Sequence, residues 1–243
     1  MRKLVKQLGA ATVSVVSVAA LSGGTALAHE GGSYSYRNHV NVSARSDSKS
    51  NVKVVENSST WVNGRHVRED RRTYIDTNLV RRYGLDTELR EHAVLAVGLL
   101  KAQHLQQPDL QALEAAVETN SQAIADSVGE LYPGTEDQFL QLWRQHIEYY
   151  KQYLTSAEQN DTAGRDEAKQ HLANFATDAA NLLANENSQI DQNDLEEQLM
   201  THGNQTVAII DSLVEGNYVN VYSLAHEGYA HMGMVAASMA GNW

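Results

Sequence analysis

The chain has 243 residues, with 19 Lys and Arg against 30 Asp and Glu, and it contains no cysteine. This length allows one or two domains with a sizeable core. The lack of cysteine excludes disulfides, zinc–thiolate sites, iron–sulfur clusters and a cysteine nucleophile. Residues 77–243 hold 8 basic against 24 acidic side chains, so this part repels nucleic acid and attracts cations. The excess of acid also favours solubility.

The first 28 residues have the three parts of a secretory signal peptide. Arg2, Lys3 and Lys6 form a positive start, Val13 to Leu21 is an apolar run, and Ala26-Leu27-Ala28 is a small-residue cleavage site. The sequence therefore predicts removal of residues 1–28 and a secreted, extracytoplasmic protein. Since no other stretch approaches 18 apolar residues, it predicts no transmembrane segment.

Residues 29–76 are rich in Ser, Asn, Gly and Arg. This composition predicts a mostly disordered, low-complexity tail, which could act as a spacer that associates the protein with the cell surface. One segment within it, Thr60 to Val67, places Asn63-Gly64 between short β-like runs. Asn-Gly is the strongest short-range signal for a β-hairpin, so a transient hairpin is expected there.

From residue 77 to residue 243 the apolar residues follow a helical period, which predicts a separate domain of all-α fold. Pro108, Pro133-Gly134 and Gly216-Asn217 fall at the boundaries between helices. Short connections favour an antiparallel bundle. The six predicted helices cover about 86–105, 109–129, 135–157, 162–186, 191–215 and 217–241.

Four histidines lie within the apolar stripes of their own helices: His92, His146, His202 and His231. They belong to the first, third, fifth and sixth helices, and they lie at similar heights if the helices alternate in direction. Glu227 lies one turn before His231 and about 40° from it around the helix. We therefore predict a shared interior pocket in which the four imidazoles are metal ligands and Glu227 is a ligand or hydrogen-bonds to one.

The ligand types narrow the choice of metal. Imidazole suits copper and zinc, whereas a set with at most one carboxylate is poor for calcium or magnesium. Di-iron bundles need several inward glutamates and Glu-x-x-His on two helices. Here the spacing is Glu-x-x-x-His, at Glu88/His92 and Glu227/His231. Met232, Met234 and Met239 follow His231, and Met200 precedes His202. Because thioether close to imidazole favours copper, the sequence favours copper, followed by zinc, for sequestering or buffering the metal.

Two other functions remain open at this stage. In the first, the protein is a non-enzymatic surface or structural module, and Tyr149, Tyr150, Tyr153 and Tyr222 satisfy the core histidines through hydrogen bonds. In the second it is a metalloenzyme, although the sequence shows no serine elbow, glycine-rich phosphate loop or paired catalytic carboxylates. A protein without enzymatic activity is the favoured interpretation.

Four segments together resemble those of a group of secreted bacterial helical proteins that often carry the label copper amine oxidase. They are Glu91-His92-Ala93, Leu142-Trp143-x-x-His146-Ile147, the helix-five His202, and Tyr222…Glu227-x-Tyr229-Ala230-His231-Met232. The resemblance covers about Asp86 to Ala240, and it implies a recurring set of histidines connected with copper. It does not imply the oxidase reaction, since true copper amine oxidases resemble a large β-sandwich with a quinone made from a tyrosine.

Overall fold

The computed structural model describes residues 39–48, 51–62 and 65–241. The predicted signal peptide lies outside the described residues. Three strands come first, β1 (His39–Ser48), β2 (Asn51–Val62) and β3 (Arg65–Asp76), in an antiparallel sheet of order β1-β2-β3. Val62 pairs with Arg65 across Asn63-Gly64, where the sequence predicts the hairpin. The sheet pairs the backbone over most of the stretch for which the sequence predicts a disordered tail.

Six helices follow the sheet, and they confirm the predicted all-α bundle. Between Thr77 and Ala240 the structure describes no strand. Connections of three to five residues link successive helices, which makes neighbours antiparallel. The helices are α1 (Thr77–His104), α2 (Leu110–Leu131), α3 (Glu136–Glu158), α4 (Thr162–Glu186), α5 (Gln192–Val214) and α6 (Tyr218–Ala240).

The first helix begins nine residues before its predicted start at residue 86. Its first turns expose Leu79, Val80 and Tyr83, and the buried stripe starts only at Leu85. Because the prediction followed the apolar period, it could not include turns that have no buried face.

Capping side chains mark the start of three of the helices. Asp161, Asp191 and Asn217 each accept a hydrogen bond from a backbone N–H in the first turn of α4, α5 and α6. Thr135 immediately precedes α3, but its hydroxyl donates to the Tyr132 carbonyl oxygen at 2.7 Å and makes no capping hydrogen bond. After α5, Gly216 adopts a φ of 72°, the left-handed conformation that ends a helix.

Each helix packs against the next one in the chain, and α1 also packs against α6. In addition α1, α3 and α5 contact one another, so these three helices share the interior. The bulkiest fully buried side chains are Trp143, Tyr153 and Phe139, all on α3. The side chains that α1, α3 and α5 place in this shared interior are therefore the first candidates for a functional site. Among the described residues, no helix is both long and apolar enough to cross a bilayer.

Candidate metal centre

Three histidines from three helices meet in the core: His92 on α1, His146 on α3 and His202 on α5. We refer to them as the histidine trio. One ring nitrogen of each lies within 4.8 Å of one of each of the others. The ring centroids are 5.3 Å apart for His92 and His146, 6.1 Å for His92 and His202, and 6.5 Å for His146 and His202. His92 and His146 are 0% exposed and His202 is 4% exposed.

Helical spacing explains why these side chains point inward. His92 follows Leu85 and Leu89 at intervals of seven and three residues, and Leu99 follows seven residues later, so all four share one buried stripe of α1. The same spacing joins Phe139 to His146 on α3, and Leu195, Leu199 and Ile209 to His202 on α5. Hydrophobic packing of the stripes thus places three imidazoles in the core without any specific bond to them.

The trio is enclosed by aromatic rings. The Trp143 ring lies 4.9 Å from that of His92 and 4.4 Å from that of His146. Phe175 on α4 stacks on His146 at 4.5 Å, with 17° between the ring planes. Tyr150 lies 5.5 Å from His146 and 6.2 Å from His202. These rings exclude water from the imidazoles, which strengthens any bond that the nitrogens form.

Five of the six ring nitrogens in the trio have no hydrogen-bond partner among the described residues. These are both nitrogens of His92, both of His146, and Nε2 of His202. An unsatisfied buried polar group costs roughly 1–3 kcal/mol, so nitrogens without partners at one place need an explanation. The sequence left open that tyrosines bond to these histidines. Instead Tyr153 donates to Asp211 at 2.9 Å, and Tyr222 accepts from Lys101 at 2.8 Å.

Burial keeps the trio neutral. It lowers the pKa of His92 to about 4 and that of His202 to about 3, since a charged ring would lose its hydration. The pKa of His146 also lies well below its ordinary value, first because of burial and then because of repulsion from protonated His92 and His202. Each ring at neutral pH therefore keeps one nitrogen lone pair, which is the form that binds a metal.

Asn120 on α2 lies beside His92 and was not among the site residues predicted from the sequence. Its Nδ2 donates to the Glu88 carbonyl oxygen of α1 at 2.9 Å, and its Oδ1 has no partner among the described residues. The Asn120 side chain keeps the pKa of His92 higher than burial alone would leave it. The described residues show no hydrogen bond between Asn120 and the His92 ring. A single asparagine within an amphipathic helix carries no signal by which the sequence could have identified it.

Of the other two predicted ligands, His231 is buried but lies outside the trio. Its Nε2 lies 2.9 Å from the Gln198 carbonyl oxygen, and it must donate there because a carbonyl only accepts. It is close enough to lower the pKa of His202 further. The structure thus leaves this ring hydrogen-bonded to α5.

Glu227 is exposed, contrary to the prediction that it faces the pocket. The buried stripe of α6 contains Val221, Gly228 and Val235, which lie about 40–80° from His231 on one side. Glu227 lies about 40° from His231 on the opposite side. The predicted angle was right, but His231 lies at the edge of the stripe and not at its centre.

The trio can hold a metal ion after a small contraction. A point equidistant from three atoms no more than 4.8 Å apart is at most about 2.8 Å from each, whereas a metal–imidazole bond is about 2.0–2.1 Å. The three nitrogens would each move inward by at most roughly 0.7 Å. Among the described residues no carboxylate joins the group. The remaining position of a four-coordinate ion would fall to water or another small ligand.

Comparison with known proteins adds no relative: no family model matches the chain, and neither a curated protein nor a solved structure matches it significantly. What the fold and the site define is a class of protein, a six-helix bundle with a buried group of three imidazoles. Its function must be argued from that group.

Proposed function

We propose that this is a secreted metal-binding protein that sequesters or buffers copper, or as a second choice zinc, by means of His92, His146 and His202. The observation that supports the proposal is the group of five buried ring nitrogens without a partner. A metal ion bonds to lone pairs that would otherwise be buried unsatisfied. The rival structural role has less support, because hydrogen bonds from tyrosines to the trio are missing among the described residues.

Copper is placed before zinc because of the ligand set. Three neutral nitrogens select metals that prefer imidazole, and for such a site divalent copper ranks above zinc and the other first-row metals in affinity. The acidic surface of residues 77–243 adds a long-range attraction for any cation. Secretion follows from the predicted signal peptide, so the proposed role is outside the cytoplasm.

A competitive titration tests this function. The purified chain is titrated with copper(II) and separately with zinc in the presence of a coloured chelator. Wild type should bind one ion, and His92→Leu, His146→Leu and His202→Leu should each weaken binding by at least about 100-fold, the loss of about 2.7 kcal/mol. His226→Leu, which alters an exposed histidine of α6, is the control and should bind like wild type.

The variant His231→Gln separates the trio from the four-ligand prediction. In the structure its ring nitrogen bonds to Gln198, so this change should cost less than about tenfold in affinity. The proposal is wrong if the three trio variants bind as tightly as His226→Leu.

A further inference from the structure

An ion that binds to the trio must pass through the wall of the bundle. The three histidines are at most 4% exposed, and packed rings cover them. A closed protein interior does not admit an ion, so binding requires one wall residue to move. The candidates are the aromatic residues whose rings contact the trio.

Tyr150 on α3 is one of these residues, and it lies near a groove that residues of α4 and α5 line. Its ring contacts those of His146 and His202, and only 3% of the residue is exposed. On its other side its hydroxyl lies 3.8 Å from the point where a Cβ on Gly203 would be. The Tyr150 side chain therefore reaches from His146 and His202 to Gly203, which lines the groove.

The groove contains a small cavity at this glycine. Its volume is about 20 Å³, and Lys169, Leu172, Met200 and Gly203 are among the residues that line it. A space of about 10–15 Å³ is enough for one water molecule. The ammonium group of Lys169 lies over the Tyr153 ring at 5.4 Å. The cavity is thus large enough for one water molecule or ion, and Gly203 both lines it and lies beside the Tyr150 hydroxyl.

We propose that metal ions reach the trio through this cavity, and that Tyr150 is the gate, swinging into the space that Gly203 leaves free. This inference rests on the proposed function. A gate changes the rates of uptake and release by the same factor and leaves the equilibrium affinity unchanged, whereas a ligand changes the affinity. In the closed position the Tyr150 hydroxyl lies beside Gly203, and its ring covers His146 and His202.

Two glycine variants provide a matched test. A Cβ on Gly203 would meet only the Tyr150 oxygen, at 3.8 Å, and one on Gly228 of α6 would meet only the Gln205 amide oxygen, at 3.9 Å. Uptake and release are followed by stopped-flow exchange of copper(II) with a coloured chelator. Gly203→Ala should slow both rates roughly tenfold, which is about 1.4 kcal/mol on the barrier, with an unchanged affinity. Gly228→Ala should match wild type.

Tyr150→Phe tests the gate from the other direction. It keeps the ring but removes the hydroxyl that faces Gly203, so the ring has more room to move and uptake and release should both become faster by a similar factor. Equal rates in wild type, Gly203→Ala and Tyr150→Phe would overturn the route while leaving the metal site intact. A lower affinity of Tyr150→Phe would make Tyr150 a ligand and overturn the gate. Absence of binding in wild type would instead overturn the proposed function and the gate together.

Discussion

At the scale of single residues, the trio is unusual for a stable core because its side chains are polar and five of their six ring nitrogens have no hydrogen-bond partner among the described residues. Imidazoles are polar, and here they lie among apolar and aromatic side chains without hydrogen bonds to them among the described residues. If stability alone had shaped these positions, leucine or phenylalanine would serve better. This cost in stability supports the proposal that the histidines bind a metal.

This cost can be measured with His146→Leu. In the presence of a chelator, at neutral pH, the variant should be more stable than wild type by about 1–3 kcal/mol, since two unsatisfied nitrogens are replaced by carbon. Urea unfolding followed by circular dichroism gives the free energy of unfolding, and His226→Leu controls for a general gain in hydrophobicity. A variant less stable than wild type under these conditions would mean that His146 has a hydrogen-bond partner in solution.

Asn120 is the second residue with a testable role. When the metal occupies one nitrogen of His92, the other carries a proton, and the free Oδ1 of Asn120 is the nearby acceptor. Loss of such a partner typically weakens metal binding about 10–100-fold, so Asn120→Ala should show a loss in this range. The control is Asn174→Ala on the exposed face of α4. Binding by Asn120→Ala as tight as that of the control would exclude this role.

At the scale of helices, the sequence predicted which histidines point inward but not which of them meet. The angle of a residue to its own apolar stripe follows from the helical period, so all four inward histidines are indeed buried. Whether two of them touch depends on how neighbouring helices are rotated and shifted. Those quantities come from the packing of side chains on both helices, as the edge position of His231 on α6 shows.

The helix α3 provides an internal probe because it carries both His146 and Trp143. The chain contains three tryptophans, and in the double variant Trp61→Phe, Trp243→Phe only Trp143 remains. Copper(II) bound by the trio would lie against this indole ring, so one equivalent should quench its fluorescence strongly. Zinc, with a filled d shell, should quench much less. Undiminished fluorescence with copper bound would place the ion elsewhere, and adding His146→Leu should abolish the quenching.

At the scale of the whole molecule, the trio connects α1, α3 and α5, the three helices that share the interior. The sequence identified the number of helices and most of their ends, because caps and prolines act locally. It did not identify α1 as starting at Thr77 or β1 as joining the hairpin. The pattern of apolar residues gives no signal for the first turns of α1 or for the pairing of β1. A bound ion would join three separate parts of the chain, so it would stabilise the fold as a unit.

The same three histidines should make the metal-free bundle sensitive to mild acid. Their pKa values are lowered in the folded state, to about 4 for His92 and about 3 for His202. The unfolded chain therefore binds more protons below about pH 6.5, and stability falls as the pH falls through this range. Each histidine contributes a slope of up to about 1.4 kcal/mol per pH unit, so the trio gives roughly 4 kcal/mol per unit between pH 6 and 5.

Urea unfolding with chelator at closely spaced pH values measures this slope before most carboxylates titrate. His146→Leu should lower it by about one third and His226→Leu should leave it unchanged, whereas a wild-type slope near zero would show that the imidazoles already reach solvent or a proton acceptor in the folded protein.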